Sequence, residues 1–122
     1  MQAGDPAQRL LILVEDDAAV LGSLSFALET EGFTVASFGS AEALMRSSIS
    51  IVDACLIVDQ MLPGVSGLDL LEQLRTKNPT QKAILLVSLI TPQIELRAKR
   101  NGLTIVEKPL LGSALVKAIR AA

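Results

Sequence analysis

The sequence predicts an α/β fold in which one parallel sheet carries helices on both faces. Five short runs rich in Val, Ile and Leu alternate with longer amphipathic segments. Runs of this length and composition are typical of strands that are buried on both faces, as in parallel sheets. Because parallel strands are joined by right-handed crossovers, we predict that the amphipathic segments are helices in a doubly wound arrangement.

The predicted strands are marked by apolar side chains and by the polar or turn-forming residues that bound them. They span residues 10–14, 33–37, 54–58, 83–87 and 103–106. These apolar stretches fall far short of the roughly 20 residues that a membrane-spanning helix needs. The residues before the first run also lack the basic character of a signal peptide. The sequence therefore predicts a cytoplasmic protein without a membrane segment.

The predicted helices have apolar residues at helical spacing and recognisable caps. Asp17 is a candidate N-cap for the first helix, over residues 18–30, and a glycine follows its end. Ser40 and the Thr91-Pro92 pair are start signals for the second and fourth helices. The remaining predicted helices lie at 41–46, between Gly67 and Pro79, from Pro92 to before Gly102, and in a last segment striped by Leu111, Leu115, Ala118 and Ile119.

Length and composition exclude several functions. The 122 residues are enough for a single core, so we predict one domain over residues 1–122, with residues 1–8 as a flexible N-terminal extension. The net charge is −2 and only 2% of residues are aromatic, which argues against direct binding to nucleic acid. The chain has no His, which excludes a Ser-His-Asp triad, a His-containing zinc site and storage of phosphate on His.

Polar side chains follow four of the five predicted strands. Glu15-Asp16-Asp17 follow the first strand, Asp59 the third, Ser88 the fourth and Glu107-Lys108 the fifth. In open parallel sheets, ligands bind outside the carboxyl ends of the strands, at the topological switch point. Converging carboxylates need a cation such as Mg²⁺, whereas a lysine and a hydroxyl suit a phosphate. A single acid at such a position is often only a helix cap, but the set predicts a metal and phosphate site.

Four motifs occur in order at these strand ends: LLILVEDD, LIVDQMLPGVSGLDLL, AILLVS and IVEKP. Along essentially its whole length, the chain resembles the receiver domain of two-component response regulators. The resemblance implies a flavodoxin-like fold with five parallel strands in the order 2-1-3-4-5. It also implies a sensor histidine kinase or a phosphotransfer protein as partner, and a homodimer formed through the fourth helix, the fifth strand and the fifth helix.

Carried over residue by residue, the resemblance assigns a phosphoryl-transfer site. Asp59 looks like the phosphoacceptor, a nucleophile that attacks a phosphohistidine or a small phosphodonor. Lys108 is expected to pair with Asp59 or with its phosphate, and Ser88 to donate a hydrogen bond to the phosphate. The peptide bond between Lys108 and Pro109 is expected to be cis, as in the family.

The same resemblance implies a Mg²⁺ site beside the phosphoacceptor. Asp16 looks like the direct Mg²⁺ ligand, and Glu15 like a second acid that acts through water. Asp59 and the backbone carbonyl of Met61 would supply further oxygens. Oxygen ligands combined with retained waters are the arrangement that Mg²⁺ prefers in proteins.

The sequence departs from the family pattern in its second half. Ile105 stands where the family usually has Tyr or Phe, and Leu89 follows Ser88 where a small residue is usual. The segment between Ser88 and Lys108 is also shorter than is typical. We therefore expect phosphate acceptance with a weak conformational response, and we expect Leu89 to narrow access to Asp59.

Two alternative functions remain open from the sequence. One is an interaction module that keeps the fold and signals without phosphate, which Ile105 and Leu89 favour. The other is a Mg²⁺-dependent phosphohydrolase, which would need a second acid near the nucleophile to protonate a leaving group. Gln60 and Met61 do not supply that acid. We therefore predict a phosphoacceptor with slow self-phosphorylation and self-dephosphorylation at most, and not an enzyme.

Overall fold

A computed structural model describes residues 10–108 and 114–122, in which five strands alternate with five helices. The strands are β1 (Leu10–Val14), β2 (Thr34–Phe38), β3 (Cys55–Asp59), β4 (Lys82–Val87) and β5 (Thr104–Glu107). The helices are α1 (Ala18–Thr30), α2 (Ala41–Arg46), α3 (Gly67–Lys77), α4 (Pro92–Arg100) and α5 (Ala114–Ala121). The predicted alternation of strands and helices is confirmed.

All five strands pair in parallel in one sheet of order β2-β1-β3-β4-β5, which confirms the predicted fold and strand order. The chain moves from β1 to the edge strand β2 and then returns to the other side of β1 with β3. Strand order therefore reverses between β1 and β3, where Val14 pairs with Val58. This switch point is the position at which a ligand site is expected in a doubly wound sheet.

The sheet has an apolar core on each face because alternate residues of its strands point to opposite sides. Ile12, Leu56 and Leu85 belong to the core covered by α2, α3 and α4. Leu13 and Ile57 belong to the core covered by α1 and α5. Residues 11–14 and 55–58 are fully buried, which explains why these strands are continuous apolar runs in the sequence.

The predicted boundaries are wrong by one residue for β2, β3 and β5, and β4 begins at Lys82, one residue before its predicted start. For β2, β3 and β5, the sequence places the strand start at a buried apolar residue whose backbone belongs to the preceding turn. The backbone amides of these three residues donate hydrogen bonds to carbonyls earlier in the chain: Phe33 to Leu28 at 3.2 Å, Ala54 to Ile51 at 3.0 Å and Leu103 to Ala98 at 2.9 Å. Hydrophobicity indicates which side chains are buried, but the strand itself is defined by its ladder of backbone hydrogen bonds.

The predicted helix caps are confirmed where the structure describes them. Asp17 Oδ1 accepts hydrogen bonds from the amides of Ala19 at 2.9 Å and Val20 at 3.2 Å. The hydroxyls of Ser40 and Thr91 cap α2 and α4 in the same way. The predicted N-terminal extension and Leu111 lie outside the described residues. The predicted cis bond between Lys108 and Pro109 also lies outside them, because Pro109 is not among the described residues. Over 10–108 and 114–122, no helix has the length and apolar character needed to cross a membrane.

A candidate acidic site at the carboxyl ends of the strands

Glu15 and Asp59 lie at the centre of the site because β1 and β3 are neighbours in the sheet. The amide of Glu15 donates to the Phe38 carbonyl at 3.1 Å, which continues the pairing of β1 with β2 one residue past the strand. Asp59 is the last residue of β3 and pairs with Leu86 of β4. Both acids are buried, with exposures of 2% and 3%, so their charges cannot be compensated by bulk water alone.

Lys108 supplies the positive charge that compensates these two acids. Its amide donates to the Val87 carbonyl at 2.8 Å, which extends the β4–β5 pairing beyond β5. Its ammonium group pairs with Asp59 Oδ2 and lies 3.3 Å from Glu15 Oε1. One lysine thus bridges two carboxylates, and the structure brings together three of the residues that the sequence singled out.

The two carboxyl groups have pKa values that move in opposite directions. The pKa of Glu15 is raised to about 7, mainly by burial. The hydrogen bond with Asp59 and the negative charge of Asp59 also contribute to this rise. Burial alone would raise the pKa of Asp59, but hydrogen bonds from Glu15, Lys108 and the Met61 amide outweigh it and hold this pKa below its usual value. Below about pH 7, Glu15 therefore binds the proton while Asp59 carries the negative charge.

Lys108 remains charged in this setting. Burial disfavours the ammonium form, but the hydrogen bond and the negative charge of Asp59 outweigh burial and raise the pKa of Lys108. The net result is an ionised Asp59 beside a fixed cation. Such an arrangement keeps a carboxylate ionised at physiological pH, as a nucleophile must be. The neighbouring cation also reduces the repulsion between this carboxylate and an anionic substrate.

The loop after β3 holds the other oxygen of Asp59. The Met61 amide donates to Asp59 Oδ1 at 2.9 Å, and the Met61 side chain is 73% exposed. Further along, Gly67 opens α3 against the end of β3. A Cβ atom at Gly67 would lie 2.3 Å from the Asp59 carbonyl oxygen, so only glycine fits there. This close approach could not be predicted from the sequence, because a single glycine is a weak signal.

Asp16 and Ser88 also lie at this edge of the sheet, but both are exposed. Asp16 does not join a metal-binding cluster, since no group of three His, Cys, Asp or Glu residues suited to a metal occurs within the described parts of the chain. The roles that the resemblance implies, Asp16 as a direct Mg²⁺ ligand and Glu15 as an acid acting through water, concern a bound ion and stay predictions. The extended pairing of β1 places Glu15, rather than Asp16, against Asp59 and Lys108.

The donor atoms nevertheless fit Mg²⁺ chemically. Two buried carboxylates share one edge, where burial and the neighbouring Asp59 raise the pKa of Glu15. Mg²⁺ is usually bound by one or two carboxylates and keeps several waters. The exposed position of Asp16 leaves its side chain open to solvent next to this pair. The set of oxygen ligands is therefore adequate for Mg²⁺ without a third buried acid.

Ile105 and Leu89 occupy different environments. Ile105 pairs with Leu85 in the sheet and is half-buried against the core covered by α4. Leu89 is 72% exposed, so its side chain extends mainly into solvent. The low exposure of Asp59 follows from its contacts with Glu15, Lys108 and the Met61 backbone.

Comparisons with known proteins agree with the fold and the strand-end motifs. Residues 11–120 match the family model of the response regulator receiver domain. The chain therefore belongs to the response-regulator receiver family of two-component systems. Receiver domains are regulatory; they interact with histidine kinases or phosphotransfer proteins and generally bind Mg²⁺ in an acidic pocket.

Two curated proteins are similar to most of this chain. The transcriptional regulatory protein FixJ of Azorhizobium caulinodans is 31% identical over 110 residues, which are 89% of this chain and 52% of FixJ. Nodulation protein W of Bradyrhizobium diazoefficiens is 32% identical over 114 residues, 93% of this chain and 50% of that protein. The structure of FixJ-N matches with a TM-score of 0.82 at 28% identity, covering 99% of this chain and 94% of FixJ-N. The chain spans about half the length of these curated relatives.

Proposed function

We propose that this receiver domain accepts a phosphoryl group on Asp59 from a phosphohistidine of a sensor histidine kinase or phosphotransfer protein. One observation carries the proposal: Asp59 is a buried carboxylate kept ionised at the switch point, with Lys108 on Oδ2 and the Met61 amide on Oδ1. A buried acid held in its charged form by two donors is suited to nucleophilic attack. The unit that acts is the single domain of residues 1–122.

The chemical step is a transfer between two nucleophiles. An oxygen of Asp59 bonds to phosphorus while the bond from phosphorus to the donor imidazole nitrogen breaks, and the bonding electron pair stays on that nitrogen. Asp59 becomes an acyl phosphate. The ammonium group of Lys108 moves from Asp59 Oδ2 to a phosphoryl oxygen, while Glu15 keeps it within the site.

Ser88 would contact the product. Val87 pairs with Glu107, so Ser88 and Lys108 lie one residue further along neighbouring strands. The exposed hydroxyl of Ser88 would donate a hydrogen bond to a phosphoryl oxygen, while Lys108 neutralises its charge. The two residues would thus bind the phosphoryl group from the β4–β5 side.

Glu15, Asp16, Asp59 and the Met61 carbonyl are the groups that would hold Mg²⁺. When bound, Mg²⁺ would neutralise the negative charge that the carboxylates and the phosphoryl oxygens bring together. Glu15 must release its proton for its carboxylate to serve as a ligand, because only the ionised form has the charge required. Asp16 is exposed and can turn toward the same edge without displacing any buried contact.

A phosphorylation-independent interaction module is the second candidate. Ile105 favours it, because an aliphatic side chain in the α4-facing core has no ring or hydroxyl to relocate when phosphate binds. Catalytic turnover of a separate substrate is not part of either proposal. The residues that follow the nucleophile, Gln60 and Met61, provide no general acid.

Intact-mass spectrometry after incubation with acetyl phosphate and Mg²⁺ tests the proposal. The wild type should gain one phosphoryl mass, and Asp59→Asn should gain none. Asp53→Asn is the matched control, since Asp53 is an exposed acid shortly before β3 and should leave the reaction unchanged. Retention of the added mass in Asp59→Asn would disprove the phosphoacceptor, and no added mass in the wild type would favour the interaction module.

A further inference from the structure

Gln60, the residue after the proposed phosphoacceptor, forms hydrogen bonds that hold both ends of the loop of residues 61–66. Its amide donates to the Leu86 carbonyl of β4 at 2.9 Å. Its carbonyl accepts from the Gly67 amide at 3.0 Å, and its side-chain Oε1 accepts from the Leu68 amide at 2.9 Å. A single residue therefore joins the end of β3 to β4 and to the first two residues of α3.

The side-chain acceptor of Gln60 fills a specific need. The first amides of a helix have no partner within the helix. Ser66 caps α3 by accepting from the Asp69 amide at 3.1 Å, and that leaves the Leu68 amide to Gln60. Leu68 is fully buried, so water cannot readily replace this acceptor. A Glu at position 60 would keep an acceptor oxygen at this place, whereas a Met of similar length would remove it.

The closed loop acts on Asp59 through Met61. Residue 61 begins the loop, and its amide fixes Asp59 Oδ1 at 2.9 Å. Because Gln60 holds the peptide immediately before Met61, loosening Gln60 frees the amide that orients the carboxylate. Because Gly67 has no Cβ, the start of α3 can pack directly against the Asp59 carbonyl, and this contact closes the loop of residues 61–66.

We infer that Gln60 is a positioning residue for phosphoryl transfer: its side-chain amide oxygen keeps the loop in the conformation in which the Met61 amide aligns Asp59. The inference rests on the proposed function of Asp59. It assigns to Gln60 no contact with the phosphoryl group. Its effect is on the rate at which a folded molecule reacts, because misplacing a nucleophile by a fraction of an ångström slows transfer strongly.

The test compares the rate constants of Asp59 phosphorylation by acetyl phosphate at saturating Mg²⁺. Gln60→Met should react roughly tenfold more slowly than the wild type, with the same final stoichiometry. Gln60→Glu should restore the rate to within about threefold, since an acceptor oxygen remains. Gln73→Met is the matched control: Gln73 is exposed on α3, and its replacement should not change the rate.

Amide hydrogen exchange in the metal-free protein separates positioning from a general loss of stability. In Gln60→Met, the Leu68 and Met61 amides should lose protection while the β1 and β3 amides keep theirs. A wild-type rate in Gln60→Met, or a slowing that only matches a loss of folded protein, would overturn the inference while Asp59 remains the acceptor. A wild type that gains no phosphoryl mass would instead overturn the proposed function, and the role of Gln60 in that reaction with it.

Discussion

Arg97 of α4 forms a two-pronged ion pair with Glu72 of α3. Its Nη2 lies 2.5 Å from Glu72 Oε1 and its Nε lies 3.3 Å from Oε2. The same guanidinium contacts Asp69 Oδ1 at 2.9 Å, and Asn101 adds a hydrogen bond to Glu72 at 2.9 Å. Ala98 is the only residue of α4 that is buried. Polar contacts with α3 therefore add to the small apolar face of α4, which Ala98 and the partly buried Ile94 provide.

Removing the guanidinium should loosen α4 without unfolding the sheet. We expect Arg97→Met to lower the free energy of unfolding by about 1 kcal/mol, because the lost pairs are only partly shielded from water. Amide hydrogen exchange should show faster exchange in α4 and unchanged protection in β3 and β4. Arg46→Met is the control, since Arg46 makes a more exposed pair with Glu42 and should cost less. Unchanged protection of α4 in Arg97→Met would contradict this account.

The raised pKa of Glu15 predicts how stability depends on pH when metal is absent. The folded state favours the neutral form of Glu15, with a pKa of about 7 against an ordinary value of 4.5. The stabilisation of the fold by neutral Glu15 is complete below pH 4.5 and is lost as the pH rises through 7. Glu15→Gln cannot ionise, so above pH 7 it should be more stable than the wild type by on the order of 2 kcal/mol.

Urea unfolding in EDTA between pH 5 and pH 9 measures this difference, and the slope of the transition must stay constant for the comparison to hold. Repeating the series in the Asp59→Asn background provides the control, because removal of the Asp59 charge should lower the pKa of Glu15 and reduce the pH dependence. Parallel stability curves for the wild type and Glu15→Gln would show that Glu15 is ionised throughout.

The environment of Ile105 predicts a weak response to phosphate. Ile105 is half-buried in the core covered by α4, and its β-branched side chain is restricted at χ1. A ligand shifts a conformational equilibrium only by its differential affinity for the two states, which we expect to be about 1 kcal/mol here. A beryllofluoride mimic should change amide NMR shifts strongly near Asp59 and Ser88 and only modestly in α4 and α5. Large shifts throughout both helices would refute the prediction.

The contact of Gly67 with the Asp59 carbonyl predicts a costly substitution. A Cβ would lie 2.3 Å from that oxygen, so in Gly67→Ala the start of α3 must move away from β3. We expect a loss of about 2 kcal/mol in the free energy of unfolding and a slower reaction of Asp59. Gly22→Ala is the control: a Cβ added at Gly22 in α1 would meet no atom within 4 Å, and helix propensity should give a gain of up to about 1 kcal/mol.

The sequence was informative where physical chemistry acts locally. Buried strands produced continuous apolar runs, and Asp17, Ser40 and Thr91 marked helix starts because each cap bonds to an amide two or three residues ahead. The edge of the sheet that carries Glu15 and Asp59 could also be predicted, since parallel strands end together.

The missed features depend on contacts between distant residues. Gln60 bonds to an amide eight residues away, and Arg97 reaches Glu72 from 25 residues further along the chain. No period of two or 3.6 residues reveals such pairs. The contact of Glu15 with Lys108 likewise depends on one additional backbone bond at the end of β1. That bond requires knowledge of how the first two strands pair.

The bridge made by Lys108 also sets the order in which the site can come into existence. Lys108 lies 49 residues after Asp59 and 93 residues after Glu15. A chain emerging from the ribosome therefore exposes both acids long before their shared cation has been synthesised, and β1 with β3 cannot bury them together without an electrostatic cost. Docking of β5 delivers the lysine and removes that cost. Closure of the sheet therefore also completes the cluster of Glu15, Asp59 and Lys108, and a nascent chain that still lacks β5 lacks the cation of this site.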